Sequence, residues 1–112
     1  MEYEFDHIAM VVSDIAEAVA WYKRTLPGTE SLYEDDSWAF LDVNGVKIAL
    51  VLKDEHPGHI AWKVSEEKLN ELADLHGQTI SLHRDGTKSF YLQAPGGNAI
   101  EIITFDNSDW EM

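Results

Sequence analysis

Two histidines and one glutamate stand out because their residue types can bind a metal and their spacing follows an internal repeat. The run HIAMVVSD begins at His7, and the similar run HIAWKVSE begins 52 residues later at His59. Glu101 interrupts an apolar run, and the same offset relates it to Ala49. Two neutral imidazoles and one carboxylate suit a borderline divalent ion (Fe, Mn, Ni, Co or Zn) and leave positions open for water or substrate. His7, His59 and Glu101 are therefore the candidate metal ligands.

The repeat indicates that the chain contains two copies of one supersecondary unit. The offset also relates Gly45-Val46-Lys47-Ile48 to Gly97-Asn98-Ala99-Ile100, and a fixed period is the signature of a duplicated unit. A chain of 112 residues can bury one ordinary core. We therefore predict a single domain over residues 1–112, with a first module at 1–53, a second module at 57–106 and an acidic tail at 107–112.

Each copy is predicted to fold as strand, helix and three strands. Apolar, β-branched runs bounded by turn residues predict the strands, and Ser13 or Asp14 and then Ser65 are the expected helix caps. The first copy has strands at 5–12, 30–34, 38–43 and 46–52 around a helix ending near residue 26. The second has strands at 59–64, 79–83, 89–93 and 99–104 around a helix containing Leu69, Leu72 and Leu75. Tight turns are expected at Asn44-Gly45, Asp85-Gly86 and Pro95-Gly96-Gly97.

This order predicts an α+β fold of two βαβββ modules, in which helices cover one face of each sheet. The other face must be covered by the partner module or by a second chain. Because strand side chains alternate, His7, His59 and Glu101 are all expected on the face away from the helices. The large apolar residues of the neighbouring positions, Ile8, Met10, Ile60 and Trp62, are expected to face the helices, and Trp21, Trp38 and Trp62 to lie in the core.

Other interpretations of the three polar residues stay open. A single histidine at the start of a strand is more often a satisfied core or edge residue than a ligand. Glu101 alone could pair with Lys47 or Lys88, or face solvent. The argument for a metal site depends on all three residues falling on corresponding faces of a duplicated fold.

Composition excludes several classes of function. The net charge is −13, from 21 acidic and 8 basic residues, so binding to nucleic acid or to an anionic membrane is disfavoured. Cysteine is absent, which excludes disulfides and thiolate ligands. No apolar run is long enough to span a bilayer, and the acidic start MEYEFD does not look like a signal peptide. A cytoplasmic location is the expectation.

Three segments together resemble the vicinal oxygen chelate superfamily, which includes glyoxalase I, bleomycin-resistance and fosfomycin-resistance proteins, methylmalonyl-CoA epimerase and extradiol dioxygenases. The segments are DHIAMVVSDIAEAVAWYKRTLPG, HPGHIAWKVS and RDGTKSFYLQAPGGNAIEII. The resemblance implies paired βαβββ modules around a U-shaped, metal-binding cleft, with ligands from the first and last strands of the modules. In this sequence those positions are His7, His59 and Glu101.

The chain departs from the superfamily pattern at Ala49, where glyoxalase I and the epimerases supply a fourth ligand. Three-ligand members, such as ring-cleaving dioxygenases and fosfomycin-modifying enzymes, fit better, although no potassium-binding loop of the fosfomycin-transferase kind is evident. Tyr91 is the candidate for a polar contact with substrate, or else a half-buried strand aromatic. Lys47 could meet an anionic group or face solvent. His56, His76 and His83 are all expected at the surface, and His83 is also a candidate to contact a metal-binding side chain.

Three functions are therefore compatible with the sequence. The first is a divalent-metal enzyme acting on a small oxygenated substrate, with Glu101 and Tyr91 as catalytic residues. The second is a metal-free protein that binds a small aromatic or cationic drug, and the third is an accessory module with a vestigial site. A homodimer is expected, since it is the commonest closed assembly, and the modules could pair within one chain or across the two-fold axis.

Overall fold

The computed structural model describes residues 3–83 and 86–105. The predicted elements are present in the predicted order, and the α+β fold with a repeated βαβββ order is confirmed. The elements are β1 (Glu4–Val12), α1 (Ile15–Thr25), β2 (Glu30–Glu34), β3 (Trp38–Val43), β4 (Val46–Leu52), β5 (His59–Lys63), α2 (Glu66–His76), β6 (Ser81–Leu82), β7 (Lys88–Gln93), a 3-10 turn (Pro95–Gly97) and β8 (Ala99–Thr104).

The chain divides into two compact units, one of residues 7–60 and the other of the described residues before and after them. In the first unit the strands follow the order β2-β3-β4-β1, with β1 parallel to β4 and the other neighbours antiparallel. A bulge between Ser31 and Tyr33 interrupts the pairing of β2 with β3. In the second unit the order is β5-β8-β7-β6, with β7 antiparallel to β8 and to β6.

The two helices begin at the predicted caps, for the same physical reason. The Asp14 side chain accepts a hydrogen bond from the Glu17 amide at 2.9 Å. Ser65 Oγ accepts one from the Lys68 amide at 3.1 Å. Each cap satisfies an amide that has no partner inside its helix. Gly77 then ends α2 in the left-handed conformation (φ 64°) that glycine adopts without steric cost.

Each copy buries one apolar cluster between its helix and its strands. In the first copy the buried residues are Ile15, Val19, Ala39, Leu41 and Leu50. In the second they are Val64, Leu69, Ala73, Phe90 and Ile102. The helix therefore covers one face of the strands in each copy, as predicted. Among the described residues, neither helix is long and apolar enough to cross a bilayer.

Several predicted core residues are exposed instead. Trp21 is 48% exposed, Trp38 is 37% exposed and Leu75 is 74% exposed, while Met10 and Ile60 are also exposed. Trp21 comes two residues after buried Val19, and Leu75 two residues after buried Ala73. At roughly 100° per residue each lies about 200° around the helix from that buried residue, so both face away from the core. Of the three tryptophans, only Trp62 packs against an apolar cluster, and it is partly buried.

The strand predicted at residues 79–83 is shorter than expected, because only Ser81 and Leu82 pair with β7. Before them, the Gln78 amide donates to the Ala73 carbonyl at the end of α2. After them, the His83 amide donates to the Thr87 carbonyl at 2.8 Å. Asp85 of the predicted Asp85-Gly86 turn and the acidic tail lie outside the described residues, whereas the turns at Asn44-Gly45 and Pro95–Gly97 are present.

Candidate metal centre

His7 lies in the middle of β1 and is half-buried. Its ring makes edge-to-face contacts with the rings of Phe40 (centroids 5.9 Å apart) and His59 (5.5 Å apart). On the same face of β1 follows Ala9, which packs with Ala49, Val51 and Phe40 in a small apolar cluster. His7 is therefore a polar side chain held at the border of an apolar surface.

His59 is the first residue of β5 and is buried. Its Nδ1 atom lies 2.8 Å from the carbonyl oxygen of Pro57. A carbonyl oxygen can only accept, so Nδ1 carries the proton, and in the neutral imidazole the lone pair is then on Nε2. A backbone carbonyl that fixes the tautomer in this way is the usual partner of a metal-binding histidine.

Glu101 is buried in the middle of β8, with only 4% of its surface exposed. The solvent-facing interpretation of this residue is therefore wrong. Lys47 pairs with Asp42 (3.4 Å) and Lys88 with Glu66 (2.7 Å). The Nε2 atom of His83 lies 4.0 Å from Oε2 of the Glu101 carboxylate.

The three predicted ligands come together. His7, His59 and Glu101 each offer one ligand atom, and these atoms all lie within 4.8 Å of one another. Bonds of about 2.0–2.2 Å from one ion to nitrogen and oxygen ligands place those ligands roughly 3–4 Å apart. A small contraction of the triad would therefore accommodate one divalent ion, and the donor set of two nitrogens and one oxygen suits it.

Tyr91 lies directly opposite Glu101 in the pairing of β7 with β8. Burial, together with the nearby Glu101 carboxylate, holds the pKa of the Tyr91 hydroxyl well above its usual range. The phenol therefore stays protonated at neutral pH and can donate a hydrogen bond. In the first copy the residue opposite Ala49 is Phe40, which lacks that hydroxyl.

A hydrogen bond between His83 and Ser89 was not predicted from the sequence. His83 Nε2 lies 2.8 Å from Ser89 Oγ, and Ser89 is fully buried. The alternation of β7 places Ser89 on the same face as Tyr91, but no sequence pattern indicates that the loop carrying His83 turns toward it. His56 and His76 are exposed, as expected.

A row of aromatic rings continues from His7 along the first copy. Phe40 contacts Trp38 (centroids 6.0 Å apart), and Trp38 stacks on Tyr33 (4.8 Å apart, 29° between the rings). The Asp35 carboxylate accepts hydrogen bonds from the Tyr33 hydroxyl and the Trp38 amide, which fixes the stacked pair. Tyr33 and Trp38 are both exposed.

Comparison with known proteins identifies the family of this chain. The sequence model of the Glyoxalase/Bleomycin resistance protein/Dioxygenase superfamily matches residues 4–102. The chain belongs to this superfamily, and the resemblance noted in the sequence is confirmed.

One relative by sequence is the metallothiol transferase FosB of Lysinibacillus sphaericus (strain C3-41). The two sequences are 30% identical over an alignment of 114 positions, gaps included. The alignment covers 88% of this chain and 80% of that protein.

Two solved structures share the fold. Methylmalonyl-CoA epimerase from Mycobacterium tuberculosis matches with a TM-score of 0.67 and 19% identity, over 96% of this chain and 91% of that chain. The Mn(II)-bound glyoxalase from Novosphingobium aromaticivorans matches with a TM-score of 0.59 and 20% identity, over 90% of this chain and 38% of that chain.

Proposed function

We propose that this protein is a divalent-metal enzyme that binds a small oxygenated substrate through the metal. His7, His59 and Glu101 are the proposed ligands. The observation that carries the proposal is the approach of their three ligand atoms to within 4.8 Å of one another. The His59 tautomer adds support, because the Pro57 carbonyl leaves the lone pair of that imidazole on Nε2.

The charge of the proposed centre favours an oxygen ligand. A divalent ion with one carboxylate and two neutral imidazoles carries a net charge of +1, in a chain whose net charge is −13. Such an ion dominates the local field and attracts substrate oxygens that the rest of the surface would repel. When bound, the ion acts as a Lewis acid on the substrate oxygen. Tyr91, a protonated phenol opposite Glu101, is the proposed donor to that oxygen.

Thiol transfer is the proposed reaction class. It is supported by the 30% identical relative whose name is metallothiol transferase, and by Ala49, which leaves a three-ligand set. In this reaction the sulfur of a small thiol forms a bond to an electrophilic carbon, the carbon–oxygen bond of the substrate breaks, and the released oxygen takes the thiol proton. The rigid face that carries Glu101 and Tyr91 would orient the substrate for this attack.

The first test is the metal content of untagged protein purified without chelator, measured beside Glu101→Ala and the surface control Glu34→Ala. We expect near-stoichiometric metal in the wild type and in Glu34→Ala, and none in Glu101→Ala. The loaded protein is then mixed with a small thiol and a set of epoxides, with loss of thiol as the signal. Turnover of a diketone or an enediol with no thiol consumed would instead indicate an isomerase or a dioxygenase. A wild type that stays empty after reconstitution with each candidate ion overturns the metal proposal.

A second candidate is a metal-free binder of a flat, cationic compound. The exposed stack of Tyr33 and Trp38 favours it, because aromatic faces attract cations and the acidic surface attracts them further. Quenching of tryptophan fluorescence by planar amines, lost in Trp38→Ala but kept in His7→Ala, is the expected result. Quenching that requires bound metal would contradict this candidate.

We also propose that the protein is a homodimer and is cytoplasmic. A two-fold dimer is the commonest closed assembly, and the absence of cysteine is compatible with a reducing compartment. Light scattering coupled to size-exclusion chromatography gives the mass in solution. A monomer at micromolar concentration would contradict the dimer.

A further inference from the structure

His83 is anchored at both its backbone and its side chain. Its amide donates to the Thr87 carbonyl at 2.8 Å, and its carbonyl accepts from the Gly86 amide at 3.0 Å. These two bonds tie the backbone of His83 to the residues that precede β7. At the other end, Nε2 lies 2.8 Å from Ser89 Oγ. A side chain held at both ends in this way has little freedom to move.

Ser89 is placed by the strand so that it can hold this imidazole beside Glu101. Ser89 pairs with Ile103, and Tyr91 pairs with Glu101, in the antiparallel ladder of β7 and β8. Because side chains two residues apart point to the same face, Ser89 and Glu101 are diagonal neighbours on one face. Ser89 is fully buried, and a buried hydroxyl needs a hydrogen-bond partner. His83 provides one.

The contact with Glu101 places the imidazole against one oxygen of the carboxylate. Nε2 lies 4.0 Å from Oε2, while the carboxylate side chain is 6% exposed. That distance is too long for a hydrogen bond, so the ring acts by occupying the space beside the carboxylate and by its dipole. A carboxylate that binds a metal through one oxygen is restrained by the groups around the other.

We propose that His83, held by Ser89, is a positioning residue that restrains the Glu101 carboxylate in the rotamer that binds the metal. This inference rests on the proposed function. It adds two residues that touch neither substrate nor metal but act through a ligand. Loss of such supporting contacts typically lowers metal affinity by about 10–100-fold.

The test is Mn(II) affinity of the full chain at constant pH, followed by the electron paramagnetic resonance signal of free Mn(II). The variants are His83→Leu, His83→Gln, Ser89→Ala and the double variant His83→Leu/Ser89→Ala. His76→Leu is the matched control, since it removes an exposed histidine elsewhere in the second copy. Thermal unfolding of each metal-free protein is the folding control.

His83→Leu and Ser89→Ala are each expected to weaken Mn(II) binding about 10–100-fold. His83→Gln, which keeps a polar atom near the position of Nε2, should stay within about three-fold of the wild type, and His76→Leu should have no effect. The double variant should lose no more affinity than the worse single variant, because two residues that act as one unit are not additive. The spectrum of bound Mn(II) should broaden in the weakened variants, since a less restrained carboxylate gives a wider spread of ligand geometries.

The proposal is overturned if His83→Leu binds Mn(II) within two-fold of the wild type. It is also overturned if the loss in the double variant equals the product of the single losses. If His83→Leu does not fold, Ser89→Ala alone decides. A wild type that binds Mn(II), loses it in Glu101→Ala and keeps it in Ser89→Ala would refute the positioning role only. A wild type that binds no candidate ion would refute the proposed function itself.

Discussion

The two copies of the βαβββ unit place different residues at the same point of the same ladder. In the first copy Ala49 lies opposite Phe40, and Val51 lies opposite Trp38. In the second copy Glu101 lies opposite Tyr91 and Ile103 opposite Ser89, so a carboxylate, a phenol and a hydroxyl replace a methyl group and two aromatic rings. Because the helix-facing clusters are alike, the difference teaches that the core maintains the scaffold while the opposite face can change its chemistry.

The largest expected effect tests whether the two cores are equivalent. Leu50→Ala and Ile102→Ala remove buried side chains at repeat-related positions of the two apolar clusters. Each should lower the free energy of unfolding by about 2–5 kcal/mol, through lost burial and the cavity left behind. Urea denaturation followed by circular dichroism measures both.

The shape of the same curves bears on the predicted single domain. If residues 1–112 fold as one domain, each variant shifts one cooperative transition. Two separate transitions, with only one of them shifted by each variant, would show that the copies unfold independently.

The second prediction concerns a variant that introduces a glutamate into the first copy at Ala49, the position that corresponds to Glu101 in the second copy. Ala49→Glu buries a charge against Ala9, Phe40 and Val51 and should destabilise the metal-free protein by about 2–4 kcal/mol at pH 8. Burial raises the pKa of the introduced group above its unfolded value. The variant is therefore closest to the wild type at low pH and loses stability as the pH rises through that pKa.

Thermal unfolding at pH 5 and pH 8 measures this pH dependence, with Ala49→Gln as the uncharged control. Equal destabilisation of Ala49→Glu at both pH values would show that the face of the first copy already tolerates a charge.

The third prediction removes the hydroxyl that distinguishes Tyr91 from Phe40. Tyr91→Phe should lower kcat by about 10–100-fold in whichever reaction the metal-loaded protein performs, because a hydrogen bond to the reacting oxygen is lost. Metal content should be unchanged. Steady-state kinetics beside Tyr33→Phe, which removes an exposed hydroxyl in the first copy, provide the comparison, and equal kcat for Tyr91→Phe and wild type would remove Tyr91 from the catalytic residues.

The fourth prediction compares the helix caps. Asp14→Ala and Ser65→Ala should each cost about 1 kcal/mol, since each leaves one amide of the first helical turn unsatisfied. Urea denaturation measures both values. A difference of more than about 1 kcal/mol between them would mean that one helix depends on its cap far more than the other.

The smallest effect concerns Asp35, whose carboxylate holds the stacked rings of Tyr33 and Trp38. In the second copy the residue that corresponds to Trp38 in the ladder is Ser89, which has no ring. The Tyr33 hydroxyl, followed by Ser37 and the Trp38 amide, holds the pKa of the Asp35 carboxyl well below its usual range. Because the pKa of Asp35 is lower in the folded protein than in the unfolded chain, this carboxylate stabilises the fold at pH values above its unfolded-state pKa. That stabilisation is lost as the pH falls through the folded-state pKa. Nuclear magnetic resonance titration of Tyr33→Phe should show the Asp35 pKa rising toward its usual value.

Most of the fold was predictable because the signals are local. The caps at Asp14 and Ser65, the Asn44-Gly45 turn and the alternating strands each depend on a few neighbouring residues. The candidate ligand set was inferred for a different reason, since the repeat relates His7 to His59 and places Glu101 at the position of Ala49. Which side chains face the core was predicted less well where the prediction used only the size of the side chain. Trp38 flanks the core residues Ala39 and Leu41, and the alternation of β3 turns it away from α1.

The proposed support for Glu101 was not predictable in detail. Ser89 and His83 are six residues apart in sequence, and their side chains meet next to the antiparallel pair of β6 and β7. The prediction of a strand at residues 79–83 did not indicate this contact, because β6 ends at Leu82 and His83 lies outside the strand. Contacts of this kind depend on tertiary geometry, and a period in the sequence does not reveal them.

The bulge in β2 has a consequence for how the protein behaves at high concentration. Every residue of β2 is exposed, and the strand stands at the end of the order β2-β3-β4-β1. A flat strand in that position would be a template for adding the strand of another molecule, which is a common route to aggregation. The bulge between Ser31 and Tyr33 twists this edge, and Glu30 and Glu34 place a negative charge at each end of it. Both features oppose aggregation by edge-to-edge pairing of β2 with a strand of another molecule. The strand nevertheless exposes the apolar side chain of Leu32 and the ring of Tyr33 to solvent.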